Sequence, residues 1–88
     1  MKIESVPQLS PLFRFQWEEA QQCHVVLYPE GMVKLSQSAG EIMKQVDGKA
    51  SVAEIIQTLS DLFDGADVGD DVIAFITEAE ANGWIQLS

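Results

Sequence analysis

Aromatic and polar residues alternate in Phe13-Arg14-Phe15-Gln16-Trp17. That period of two places Phe13, Phe15 and Trp17 on one face of a half-buried strand. Glu18 to Gln22 is a polar connector. His24-Val25-Val26-Leu27-Tyr28, β-branched and apolar, predicts a second strand. In Tyr28-Pro29-Glu30-Gly31, proline at the second position and glycine at the fourth match a type I turn. Met32 to Leu35 then runs back as a third strand. Only helical patterns follow it, so its outer edge is expected to be unpaired, with backbone N–H and C=O groups able to receive a further strand.

Ser38-Ala39-Gly40-Glu41 has the spacing of a capping box and predicts the start of a first helix, with Ile42, Met43 and Val46 on its apolar face and Asp47-Gly48 as its stop. Ser51-Val52-Ala53-Glu54 repeats the box. The helix it opens carries the stripe Val52, Ile55, Ile56, Leu59, Leu62 and Phe63. Asp64 to Gly69, with two glycines and two aspartates, predicts a loop. A third helix begins near Asp70, where Asp70 and Asp71 suit the positive end of the helix dipole. Its stripe is Val72, Phe75, Ile76 and Ala79, with Ile73 on the flank. Asn82-Gly83 stops it, and Trp84 to Leu87 is a short tail expected to pack back on the core. Residues 1–11, polar and holding Pro7 and Pro11, are expected to be an irregular arm before a single domain over 12–88.

Composition narrows the class. An 88-residue chain with 47% hydrophobic and 22% charged residues is globular, yet at this size only about 60–65% of the unfolded surface is buried. The N-terminus lacks the apolar stretch of a secretory signal, no run is long enough to span a bilayer, and the single Cys23 has no disulfide partner; these favour a cytoplasmic protein. The net charge is −9, and from Ala50 to Ser88 there are eight acids and no Lys or Arg. Nucleic acid and anionic membranes are therefore disfavoured as partners. The acids fit a solvated surface or a dock for a basic partner, with Asp70 and Asp71 as the candidate electrostatic docking residues.

Residues for catalysis are few. Cys23 and His24 are neighbours on a strand and point to opposite faces, a poor geometry for a thiolate–imidazole pair. With no further Cys or His, they also cannot complete a metal site. The acids Asp61, Asp64, Asp67, Asp70 and Asp71 do not have EF-hand spacing, and the six glycines form no phosphate-binding motif. No catalytic residue, metal or cofactor is assigned, and a lone enzyme is not expected. Three strands followed by three helices predict an α+β, winged-helix-like fold: a small three-stranded antiparallel sheet followed by a three-helix bundle. Folds of that kind often bind DNA, but the helical half lacks the basic patch this requires.

These residues resemble the protein D family of pyrroloquinoline quinone (PQQ) biosynthesis over nearly the whole chain. The resemblance rests on Phe15-Gln16-Trp17-Glu18, on the contiguous block His24 to Leu35, and on Asp47-Gly48 followed by Val52-Ala53-Glu54-Ile55. Asp71-Val72, Phe75-Ile76 and Gly83-Trp84 add to it. It implies a non-catalytic peptide chaperone that binds a ribosomal precursor peptide and presents it to a radical S-adenosylmethionine (SAM) enzyme, which crosslinks a glutamate to a tyrosine in that peptide. It also implies that the peptide adds a strand beside the third strand and lies against the third helix. On this sequence that means Met32, Val33, Lys34 and Leu35 on the strand, with Val72, Ile73, Phe75 and Ile76 on the helix. Of the helical residues, Ile73 is the better groove candidate, because the others belong to a core-like stripe. Ser36-Gln37 stands where the family commonly has asparagine-glycine, and serine can still cap a helix there. The alternatives are a nucleic-acid-binding winged helix and a self-associating structural protein, a homodimer formed through the free edge or an exchanged N-terminal arm.

Overall fold

The antiparallel sheet is built from two hairpins in sequence. The computed structural model describes residues 2–88, and in it strands β1 (Pro7–Leu9), β2 (Arg14–Glu18), β3 (Cys23–Tyr28) and β4 (Gly31–Lys34) precede helices α1 (Gln37–Met43), α2 (Val52–Leu62) and α3 (Gly69–Ala81), with β5 (Ile85–Leu87) last. β2 pairs with β3 from Arg14↔Leu27 to Glu18↔Cys23, and β3 with β4 from Val25↔Lys34 to Tyr28↔Gly31. The order is thus β2-β3-β4. Gln22, at φ 54°, closes the first hairpin in the left-handed region. Pro29 and Glu30 close the second without positive φ, as proline's fixed φ requires.

Register sets the faces of this sheet. Phe15, Val26 and Val33 lie in one cross-strand row and Trp17, His24 and Leu35 in the next, all on the side that meets the helices. Phe15 stacks on His24 with ring centroids 5.0 Å apart, and Phe13 stacks on Tyr28 at 5.5 Å. Trp17, at the end of its strand, stays 47% exposed. The core joins Val26 and Leu35 to Ile42 and Met43 of α1, Val52, Ile55 and Leu59 of α2, and Val72, Ile76 and Ala79 of α3.

Two expectations about α1 need correcting. Its cap is Ser36, whose Oγ accepts from Ala39 N–H at 3.2 Å, and the expected box at Ser38 does not form. The chain leaves β4 extended, so Ser36 is the last β-region residue before the turn and the first able to cap it. Glu41 instead pairs with Lys44 at 3.0 Å. The helix also ends at Met43 rather than at Asp47-Gly48. Asp47 organises the next turn by accepting from Lys49 and Ala50 N–H, both at 2.9 Å, and these bonds lower its carboxyl pKa.

The capping box at Ser51 and Glu54 forms as expected. Val52 N–H donates to Ser5 C=O at 2.9 Å and Ala53 N–H to Ile3 C=O at 2.8 Å, so the N-terminal segment serves two further donors that the helix start leaves without intrahelical partners. The segment expected to be irregular is therefore structured here. Pro7, Gln8 and Leu9 also pair antiparallel with Leu87, Gln86 and Ile85 in a second, two-stranded sheet. Three-residue strands carry too short a pattern to declare themselves, and the partners lie at opposite ends of the chain.

α3 ends as the Asn82-Gly83 signal predicts. Gly83 adopts φ +79°, its N–H donates to Glu80 C=O at 3.0 Å, and Trp84 N–H donates to Ala79 C=O at 2.9 Å. This is the paired hydrogen-bond pattern of a left-handed helix stop. It turns the chain sharply and sets Trp84 beside α3, with its ring centroid 6.4 Å from that of Phe75.

Candidate functional site

β4 is an edge strand with no neighbour on its outer side among the described residues. Leu35 N–H donates to His24 C=O at 2.9 Å, which fixes the phase of the ladder. Backbone groups alternate direction along an antiparallel strand, so Val33 and Leu35 bond inward to β3 while the N–H and C=O of Met32 and Lys34 point outward. Those four groups make the edge a template for another extended chain.

Across from the edge lies α3, and a groove of about 490 Å³ separates them. Val33, Lys34 and Leu35 line its strand side; Asp71, Ala74, Phe75 and Glu78 line its helix side. Ala39 and Ile42 of α1 and the indole of Trp84 complete the lining, with Ser36 and Ser38 at the β4–α1 junction. The helical period explains the choice of residues on α3. At about 100° per residue, Asp71, Ala74 and Glu78 share one flank, Val72, Ile76 and Ala79 form the core face, and Phe75 lies between the two.

The structure brings together five of the sequence-derived candidates: Val33, Lys34, Leu35, Phe75 and Asp71. Met32 contributes backbone to the edge but its side chain, 41% exposed, points to the opposite face of the sheet. Val72 and Ile76 are fully buried and support the core. Ile73 is packed against the core on the flank away from Asp71, Ala74 and Glu78, so it is not the groove residue expected of it. Asp70 is exposed and likewise outside the lining. Ala74, Glu78 and Trp84 were missed. The spacing Asp71-Ala74-Glu78 is a readable helical flank, but only the position of β4 tells which flank matters.

Electrostatically the groove is asymmetric. Asp71 and Glu78 stand on the helix wall, whereas Lys34 lends backbone to the strand wall and, two residues from Met32, sends its side chain to the opposite face of the sheet; among the described residues the ion pair Lys44–Glu41 involves none of them. The acidic half of the chain is thus free to attract cationic groups to this wall. Lowered carboxyl pKa values occur elsewhere, at Asp47 and at Glu19, whose carboxylate accepts from the Trp17 indole at 2.7 Å. His24 lies beneath α1, where a Cβ on Gly40 would meet its Nδ1 at 3.0 Å; it fills space between sheet and helix. Cys23 lies in the row opposite Glu18, on the other face from His24. Among the described residues no three His, Cys, Asp or Glu side chains gather into a metal-binding group, and no helix is long and apolar enough to cross a membrane.

Comparison with known proteins agrees with this architecture. The profile of the family described as "Coenzyme PQQ synthesis protein D (PqqD)" matches residues 23–85. A Pseudomonas aeruginosa (strain UCBPP-PA14) protein named "PqqA binding protein" is 52% identical over 86 residues, covering 97% of this chain and 94% of that one. One of the same name from Azotobacter vinelandii (strain DJ / ATCC BAA-1303) is 50% identical with the same coverage. Among solved structures, the chain is similar to the PqqD truncation of Methylobacterium extorquens PqqCD, described as a functional and stand-alone recognition element for ribosomally synthesized and post-translationally modified peptides. That match has a TM-score of 0.82 at 25% identity, over 98% of this chain and 94% of that one.

Proposed function

The chain belongs to the coenzyme PQQ synthesis protein D family, and from that premise we propose that it is a non-catalytic chaperone for the PqqA precursor peptide. The peptide adds a fourth strand to the sheet at the β4 edge and lies along α3. One observation carries this reading: the outward backbone groups of Met32 and Lys34 face a groove whose far wall is a helix flank. Main-chain pairing supplies up to four hydrogen bonds, each worth about 0.5–1.5 kcal/mol net. Ordering a flexible peptide offsets much of that gain, so side chains entering the groove beside Val33, Leu35, Phe75 and Trp84 must supply the rest. Every second peptide residue points into the groove, which is how a sequence-blind edge acquires specificity.

The same reading makes the protein a presenter. Holding the peptide extended reduces the ordering that a downstream radical SAM enzyme must impose before it crosslinks a glutamate to a tyrosine. Titration of the ¹⁵N-labelled chain with PqqA should shift amides of β4 and of the Asp71–Glu78 face of α3. A response confined to the β2 edge, or none at saturating peptide, would refute the groove. Cytoplasmic residence follows as part of this proposal, since a chaperone for a ribosomally made peptide meets it where it is synthesised.

A further inference from the structure

α2 ends with two large apolar side chains uncovered: Leu62 is 60% and Phe63 48% exposed. The periodic stripe of this helix predicts both as core. However, Phe63 is the C-cap, and Asp64 and Gly65 at φ 58° and +81° turn the chain away before anything covers them. The two residues border a cavity of about 690 Å³, with Ile42, Leu59, Val68 and Val72 as its other apolar walls. That volume lies within the range of about 300–1,000 Å³ typical of ligand sites.

The cavity adjoins the peptide groove. Ser36, Ser38, Ile42 and Asp71 line both, so the two meet where β4 passes into α1. A chain paired along β4 that continues past Ser36 is therefore led to the cavity mouth. The charge at that junction is negative: Asp71 and Glu41 line the cavity, Glu41 is paired with Lys44, and Asp71 has no ion-pair partner among the described residues. Beyond residue 49 there is no Lys or Arg that could serve it.

We propose that this cavity is a second subsite for the same peptide, taking one large aliphatic or aromatic side chain from the segment that leaves the β4 edge, with a neighbouring Lys or Arg held against Asp71. The subsite rests on the groove reading above. It extends recognition from the β4 edge, α1 and the α3 flank to the C-terminal end of α2, and it fixes how far along β4 the peptide sits. Strand addition alone leaves that register open, because each two-residue slip re-forms the same backbone bonds.

PqqA titrated into the full chain tests the proposal. The variant Leu62→Ser/Phe63→Ser changes exposed positions only. Losing the burial of both partly exposed side chains should weaken binding about tenfold or more, while the β4 amide shifts persist at higher peptide concentration. Leu62→Met/Phe63→Leu, which keeps the apolar surface, should restore affinity to within about twofold. Replacing the anchoring peptide side chain by alanine should weaken binding to the wild type but not to the Ser variant. If the Ser variant binds as tightly as wild type while β4 amides still shift, the subsite is wrong and the groove stands. If β4 amides do not shift in the wild type, the groove reading itself fails. Concentration-dependent dimerisation of the free protein that the Ser variant abolishes would assign the cavity to a second copy and overturn the proposal.

Discussion

Replacing Lys34 by proline separates the outer edge of β4 from its inner edge. The Lys34 N–H points away from β3, so proline removes no bond of the existing ladder, and edge positions of this kind tolerate it. Val33, the preceding residue, is already extended within the strand, which is the conformation a following proline favours. For the peptide the change is severe. One main-chain hydrogen bond worth about 0.5–1.5 kcal/mol is lost, and the partner carbonyl is left against the pyrrolidine ring at a desolvation cost of about 1–3 kcal/mol. The combined loss of about 1.5–4.5 kcal/mol corresponds to roughly ten- to two-thousandfold weaker binding. Calorimetric titration with PqqA measures it, with Lys34→Ala as the control for the missing side chain and thermal melts as the control for folding. Val33→Pro completes the comparison: its N–H bonds inward, so it should lower the melting temperature sharply. Equal peptide affinity for Lys34→Pro and Lys34→Ala, with both folded, would refute strand addition at this edge.

Asp71→Asn with Glu78→Gln should weaken PqqA binding modestly and flatten its decline between low and moderate salt, whereas Asp70→Asn, outside the groove, should do neither; titrations at several ionic strengths decide this. Gly83→Ala places a Cβ in open space but at φ +79°, so its cost is backbone strain alone, about 1–2 kcal/mol, or roughly a 4–15 °C fall in melting temperature by differential scanning calorimetry. The carboxyl of Asp47 is held below its ordinary value of 3.8 by hydrogen bonds from Ala50 and Lys49 N–H. The stabilisation it contributes is therefore present above that value and is lost as the pH falls through the lower folded-state pKa; carbon-detected NMR titration should show the Asp47 carboxyl protonating below the ordinary aspartate value. Deleting residues 2–9 removes the partner of β5 and the carbonyls that serve Val52 and Ala53, so the truncated chain should melt well below the full one.

How much was legible in the chain depends on the distance over which each signal acts. The strand at Phe13–Trp17, the Pro29-Glu30 hairpin, the box at Ser51 and Glu54 and the stop at Asn82-Gly83 all depend on contacts within a few residues, and each appears where its pattern places it. Ser38 was misread because Ser36 and Ser38 both stand near the helix start, and the direction in which the chain leaves β4 selects between them. Leu62 and Phe63 continue a periodic stripe, yet periodicity reports only which residues share a face and not where the opposing surface ends.

The sequence by itself determined the order of the local elements from β2 to α3, their apolar faces and the acid-rich second half. A free β4 edge follows from these only as an expectation: a fifth strand, Ile85–Leu87, comes after the helices, and its pairing with β1 leaves β4 without an outer neighbour among the described residues. Only the tertiary structure decided what stands opposite that edge. The flank of α3 carrying Asp71, Ala74 and Glu78, rather than the one carrying Ile73, faces β4 because the core claims Val72, Ile76 and Ala79 and the packing of α3 on α1 and α2 sets the rotation of the helix. Pairing of Pro7–Leu9 with Ile85–Leu87 lies beyond local pattern for the same reason: it joins segments more than seventy positions apart, and only the folded core brings them together.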